Sequence, residues 1–286
     1  MARLLRSLIF VPGNNQRFLD KAKNLEADIV CFDLEDSVTL EEKKSARRLI
    51  KEALTKRSEY KSEVYVRTNS PISGMVCDDL NEILQKGIDG IVIPKVNNVS
   101  ELKKIEKMMI NTEKKRKLKQ TEIIPSIESA EGVVNTYAIA SCSKRIPAIV
   151  FGVFDLLNDL GVEYTKQAEG AKYSRAKIPV DAKAAGKYAI DAIWQDLDDQ
   201  PGLEQDCIMA KSLGYVGKSI IHPNQIEIAH RIFYPASWEI EWARKVIEAY
   251  AIATQKKKGA TKVDGKMIDE VHFKRANALL ESIKTS

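Results

Sequence analysis

The chain of 286 residues holds only four cysteines and three histidines. Cys31, Cys77, Cys142 and Cys207 form no CxxC or other ligand spacing, so neither a disulfide framework nor a zinc site is expected. Cys31 lies in an apolar run and reads as a small core residue. This usage fits a reducing compartment, and the expected location is the cytoplasm. Long apolar runs are also missing. The N-terminal stretch, residues 1–13, is too short for a membrane span or a secretory signal, so no membrane association is expected.

Strong charge of one sign is absent as well. There are 45 basic and 40 acidic residues, a net +5, which helps attract an anionic substrate but does not argue for nucleic acid. The basic run of Lys114, Lys115, Arg116, Lys117 and Lys119 has no nearby aromatic residue for base stacking and reads as a solvated helix face. The first turn after an apolar run is Phe-Val-Pro-Gly-Asn-Asn. It lacks the GxGxxG pattern that a doubly wound dinucleotide-binding sheet requires. No internal repeat stands out.

What is present is an ordinary globular composition, 44% hydrophobic and 30% charged, on a chain long enough to bury a core without disulfides. Eight short apolar runs recur, at residues 7–11, 28–34, 63–68, 90–96, 122–127, 148–154, 189–194 and 218–222. Most are rich in Val, Ile and Phe without polar alternation, as suits parallel strands covered on both faces. Helical patterns separate them, at 16–25, 41–57, 75–86, 100–117, 130–140, less clearly 172–185, then 203–212 and 224–233. Eight strand-then-helix units predict an α/β fold, a (β/α)8 TIM barrel over residues 1–235. Residues 236–286 read as a C-terminal helical extension: a long helix at 236–258, a loop to Gly265, and a last helix at 270–284.

A barrel of this type carries its chemistry at the C-terminal ends of its strands. The polar residues ending the runs are Asp33, Glu35 and Asp36; Arg67, Thr68 and Asn69; Lys95; Glu128; Asp155; and His222. Carboxylates gathered around one ring repel unless cations intervene. Magnesium, which takes oxygen ligands from one or two carboxylates plus water and substrate, is the natural partner, with Glu128 and Asp155 as candidate ligands. Any single member reads equally as part of an ordinary ion pair. Lys95 reads also as snorkelling from the barrel mouth, and the 10–14 loop as a simple turn. His222, followed by Pro223, is read as satisfying backbone groups at a turn.

The motifs resemble those of the HpcH/HpaI aldolase and citrate lyase family, in its citrate lyase beta-like branch. They are residues 6–14 (RSLIFVPGN), 32–38 (FDLEDSV), 44–47 (KSAR), 66–69 (VRTN), 93–95 (IPK), 127–132 (IESAEG), 151–161 (FGVFDLLNDLG), 217–225 (GKSIIHPNQ) and 265–269 (GKMID). The resemblance implies a magnesium-dependent carbon–carbon lyase that cleaves malyl-, methylmalyl- or citramalyl-CoA to acetyl- or propionyl-CoA and glyoxylate or pyruvate. It leans toward the stand-alone citramalyl- and malyl-CoA lyases. It matches Glu128 and Asp155 to the metal ligands and Arg67 to the arginine on the thioester oxygen. Glu35 and Asp36 match acids that order the metal's water or the site. Asp269 matches an acid–base aspartate delivered across a subunit interface, which implies a homotrimer. Arg6, or a tail lysine, is expected to meet the coenzyme A phosphates, with Pro12, Asn14 and Lys95 as further substrate contacts. The alternatives are a citrate lyase beta subunit acting on an acyl carrier protein thioester, and a non-catalytic binding barrel using the basic 114–119 run.

Overall fold

The computed structural model describes residues 3–166 and 168–283. They form two compact units, a larger one over Leu5–His230 and a smaller one combining residues 3–4 with 231–283.

In the larger unit β1 (Ser7–Pro12) leads to α1 (Gln16–Ala22), β2 (Ile29–Asp33) to α2 (Lys43–Thr55), and β3 (Glu63–Arg67) to α3 (Val76–Ile83). Then come β4 (Gly90–Ile93), α4 (Val99–Arg116), β5 (Glu122–Ile127), and a helix broken into α5 (Ala130–Val134) and α6 (Thr136–Ser141). β6 (Ala148–Phe151), α7 (Val153–Asp159), α8 (Lys172–Ala184), β7 (Tyr188–Asp191), α9 (Gln200–Leu213), β8 (Gly217–Ile220) and α10 (Ile226–Phe233) complete the series. All eight strands are parallel and close into a barrel, with β1 paired to β2 on one side and to β8 on the other. This is the (β/α)8 architecture expected from the apolar runs.

The strands are apolar on both faces because helices cover the outside and side chains fill the inside. Leu8, Cys31, Tyr65, Val92, Ile124 and Ile190 pack in the interior core. Tyr65 is fully buried, and its hydroxyl bonds Glu122. Position 90 must be glycine, since a Cβ there would stand 2.0 Å from the Tyr65 ring.

Between barrel and helices lies a second buried cluster. Lys218, on β8, meets Asp191 of β7 at 2.7 Å and also bonds Asp206 of α9, while Arg175 of α8 bonds Asp191 at 2.5 Å and Asp206 at 2.7 Å. Two cations and two anions thus satisfy one another, with Lys218 and Asp191 fully buried. Helix ends are defined locally: Asp199 caps α9 by accepting from Gly202 N at 3.0 Å, and Gly214 ends it in the left-handed region.

The smaller unit contains α11 (Ser237–Gln255), β9 (Ala260–Val263), β10 (Lys266–Asp269) and α12 (Glu270–Ile283). Residue 284, the expected end of the last helix, lies outside the described residues. The expected loop before Gly265 is instead an antiparallel hairpin. Asp264 and Gly265 both have positive φ, 46° and 83°, the pattern of a two-residue type I′ turn. Val246, Val263, Ile268 and Ala276 form this unit's own core. No described helix is long and apolar enough to cross a membrane.

Candidate active site

Asp33 is the last residue of β2, and the strand register sets it directly beside Arg67, the last residue of β3. Its carboxylate takes Arg67 Nε at 2.6 Å and Nη2 at 2.8 Å, a bidentate pair. It also accepts from Glu35 N at 2.8 Å, Ser37 N at 3.0 Å and Ser37 Oγ at 2.6 Å. Burial pushes its pKa up, but the Arg67 charge and these bonds outweigh that and hold it at about 2. The guanidinium also lies 4.6 Å from the Phe10 ring centroid. Two of its nitrogens are therefore locked, and Nη1 remains, 3.3 Å from Glu35 Oε2 and 3.5 Å from Asp36 Oδ2.

The loop after β2 is held from behind. Lys43 of α2 donates to the carbonyls of Leu34 and Glu35 at 2.6 and 2.7 Å. Buried Asp79 joins Arg47 at 2.6 Å to the backbone of Asn69 at 2.7 Å. The KSAR and VRTN motifs meet through that aspartate, a residue in neither.

Lys95 follows β4 with a left-handed backbone, φ 52°. Its ammonium lies 2.9 Å from Glu35 Oε1, 3.4 Å from Asp36 Oδ1 and 3.3 Å from Asp155 Oδ1. Burial and repulsion by Asp36 outweigh these cations and push the Glu35 pKa up to about 7. Its Oε2 is buried without a hydrogen bond.

Glu128 follows β5 directly and is 5% exposed. No Lys or Arg among the described residues lies within ion-pair distance of it. Burial, then the nearby Glu35 charge, push its pKa up to about 8. Gly152 makes room for it, since a Cβ at 152 would come within 2.4 Å of Glu128 Cγ. Asp155 lies not on a strand, as expected, but in the first turn of α7. Gly152 ends the extended backbone one residue after β6, so the helix begins earlier than the apolar run suggests.

A cavity of about 420 Å³ opens here, all of its lining from the larger unit, with Glu35 and Lys95 behind that lining. Asp33, Asp36, Arg67, Glu128 and Asp155 line it. Phe10, Pro12, Phe151, Phe154 and Ile193 supply apolar wall, and Ser126 and Ser219 neutral oxygens. Phe10, Gly152, Ser126 and Ser219 were outside the expected site set, whereas Asp33 was expected among the acids at the strand ends. The serines had no such signal.

Other expected residues fall elsewhere. Arg6 precedes β1, at the opposite end of the barrel, where it bonds Asp28 at 2.6 and 3.0 Å. Asn14 donates to Glu42 at 2.8 Å, beyond the cavity lining. His222 takes a turn role, its Nδ1 accepting from Asn224 N at 3.3 Å. Asp269 ends β10 in the smaller unit, where it accepts from Val271 N at 3.0 Å and contacts His272 Nδ1 at 2.7 Å. That His272 contact, with backbone N–H donors, lowers its pKa.

The donor set suits a hard divalent cation. Glu128 and Asp155 present only oxygen, Glu128 is buried with no ion pair among the described residues, and glycine leaves its carboxylate space. No group of three or more His, Cys, Asp or Glu among the described residues forms a complete cage. A two-carboxylate site completed by water and substrate has that character.

A parallel barrel whose strand ends gather acids, one locked arginine and a cavity has the arrangement of an α/β-barrel enzyme site. The chain belongs to the HpcH/HpaI aldolase/citrate lyase family, whose model matches residues 6–223. It is 33% identical to the citrate lyase subunit beta of Haemophilus influenzae, over 99% of this chain and 98% of that one. It is equally 33% identical to the mitochondrial citramalyl-CoA lyase of Rattus norvegicus, over 96% and 85% of the two chains. The crystal structure of CitE from Mycobacterium tuberculosis, in complex with magnesium, acetoacetate and coenzyme A, has the same fold. Its TM-score is 0.79 at 24% identity, with 97% of each chain covered.

Proposed function

We propose that this protein is a magnesium-dependent carbon–carbon lyase acting on a short 3-hydroxyacyl-CoA thioester. The malyl, methylmalyl and citramalyl thioesters are the substrates of this class, giving acetyl- or propionyl-CoA and glyoxylate or pyruvate. The carrying observation is one cavity with an immobilised arginine, Arg67, and two carboxylates, Glu128 and Asp155, of which Glu128 is buried with no ion pair among the described residues. Relatives named citrate lyase beta, citramalyl-CoA lyase and malyl-CoA thioesterase support this reading.

In the reaction, the bond between the carbinol carbon and the thioester α carbon breaks. Its electron pair moves to the α carbon and the thioester carbonyl, and the hydroxyl proton leaves as the carbinol becomes a 2-oxo acid. A proton added to the α carbon completes the acyl-CoA. Glu128 and Asp155 would hold magnesium, which would supply Lewis-acid charge at the departing 2-oxo acid's side of the cavity. Arg67 supplies the opposite pole. With Nε and Nη2 committed to Asp33, its Nη1 is the nitrogen left to meet the thioester oxygen. A pre-aimed donor of this kind contributes ~3–4 kcal/mol to the transition state. Asp33 positions Arg67 and stays ionised, which keeps it out of proton transfer at neutral pH. Glu35 and Asp36 hold the polar wall, and Glu35 has a carboxyl that can carry a proton near neutrality. Asp269 is assigned to proton exchange at the α carbon, delivered from residues 236–286 of a neighbouring subunit in a homotrimer.

A second reading is a citrate lyase beta subunit that takes its thioester from an acyl carrier protein. It is favoured by 33–35% identity to such subunits across nearly the whole chain. The experiment that tests both is cleavage of malyl-CoA and citramalyl-CoA by purified protein, with magnesium and with chelator, trapping the 2-oxo acid as its hydrazone. Chelator-sensitive release supports the stand-alone lyase. Release only from a carrier-protein thioester supports the subunit, and release from neither overturns both.

A further inference from the structure

Lys95 bridges acids from two segments beside the cavity. Its backbone takes the left-handed region that side-chain-bearing residues seldom occupy, φ 52°. The ammonium meets carboxylates from two segments, Glu35 and Asp36 after β2, and Asp155 of α7. The other charge facing this group, Arg67, has its own anchor in Asp33. Lys95 also keeps a path to water: its side chain is 29% exposed, while that of Lys218 in the balanced cluster is 0% exposed. A held yet movable cation is suited to exchange rather than to permanent support.

Asp155 is one of the two carboxylates assigned above to the divalent cation, and this inference rests on that assignment. Its Oδ1 is 3.3 Å from the Lys95 ammonium. An ammonium and a divalent cation on one carboxylate repel each other at a few ångströms. Glu35 binds Lys95 more closely, at 2.9 Å, and needs no share in the metal. We propose that Lys95 is an internal counterion that occupies Asp155 in the metal-free protein and leaves it, still tethered to Glu35, when a divalent cation binds. Lys95 is thus a positioning residue that sets the metal affinity of the site.

The test is titration of the purified full-length protein with magnesium chloride by calorimetry, with thermal melts in chelator and in magnesium. Lys95→Met removes the charge and keeps an unbranched side chain one atom shorter. Lys95→Asn removes it with a residue that tolerates the left-handed backbone, and Lys95→Arg keeps it. Both neutral variants should bind magnesium about tenfold more tightly, an ordinary coupling between two ligands of one site. They should also melt earlier in chelator and recover in magnesium, while Lys95→Arg stays near wild type. Unchanged or weaker binding, with equal melting losses in chelator and magnesium, would make Lys95 a purely structural cation and overturn the proposal. If wild type fails to bind magnesium, or Glu128→Gln binds it as wild type does, the metal assignment falls and this inference falls with it.

Discussion

Two of the barrel's charge clusters are built differently. In the outer one Arg175 and Lys218 face Asp191 and Asp206, two charges against two, each within bonding distance of its partners. In the cluster at the cavity, five carboxylates, Asp33, Glu35, Asp36, Glu128 and Asp155, outnumber the cations near them among the described residues, Arg67 and Lys95 in ion-pair contact and Lys43 behind. Burying charge is unfavourable unless it is paired. The outer cluster meets that rule within the chain and can be purely structural. The cavity cluster does not: burial shifts Glu35 and Glu128 upward to about 7 and 8. Surplus of one sign around a cavity marks a place completed by something that arrives from solution.

Glu128→Gln gives this contrast its hardest test. Glu128 has no ion-pair partner among the described residues to strand, so the amide should leave the fold intact by circular dichroism and melting. Turnover should fall about a thousandfold or more, because several kcal/mol of charge stabilisation depends on the metal. Full chelator-sensitive activity in this variant would show that the surplus charge has no part in the chemistry.

Asp191→Asn should do the reverse. It leaves two cations, Arg175 and the fully buried Lys218, to share Asp206 alone, and leaving buried charge uncompensated in this way costs about 3–5 kcal/mol. Urea unfolding should show that loss, while the protein that remains folded keeps its kcat. A kcat loss without a stability loss would mean that the outer cluster is not merely structural.

Acid unfolding reads the Asp33–Arg67 pair. The folded pKa of Asp33, about 2, lies below its ordinary 3.8. A depressed carboxylate stabilises the fold above its unfolded pKa, and that contribution disappears as pH falls through the folded value. The window therefore runs from about pH 5 down to about pH 2 and is worth about 2 kcal/mol. Asp33→Asn should flatten the pH dependence of urea unfolding across that window by this amount. An unchanged slope would remove Asp33 as the anchor of Arg67.

How much of this was legible before the fold was known follows from what each feature depends on. The eight strands depend on local apolarity, so their existence was readable; their ends were not, because Gly152 starts a helix inside an apolar run. The hairpin at Asp264–Gly265 carried a readable turn signal and was passed over as a loop. Glu128 and Asp155 were visible as acids after apolar runs. The pairing of Asp33 with Arg67 was not visible, since it depends on the register between two strands, and no single segment encodes that. Lys95 was visible as a cation but not as the partner of Asp155, sixty positions away in the chain.

Arg6 shows the same limit from the other side and gives the smallest expected effect. Its positive charge suggested a role with coenzyme A phosphates, and Asn14, another expected contact, lies shortly after it in sequence. The intervening strand has six residues, and at ~3.3 Å each it sets the two about 20 Å apart, at opposite ends of the barrel. There Arg6 forms a third cluster, balanced like the outer one: it pairs with Asp28, which also approaches His230 at 3.7 Å. Its side chain is 19% exposed and that of Asp28 12%, so solvent softens the loss of either partner. Arg6→Ala should cost about 1 kcal/mol of stability and leave the KM for the thioester unchanged. A raised KM that depends on salt would instead bring coenzyme A phosphates to this end of the molecule. Balance of charge would then no longer separate structural clusters from binding ones.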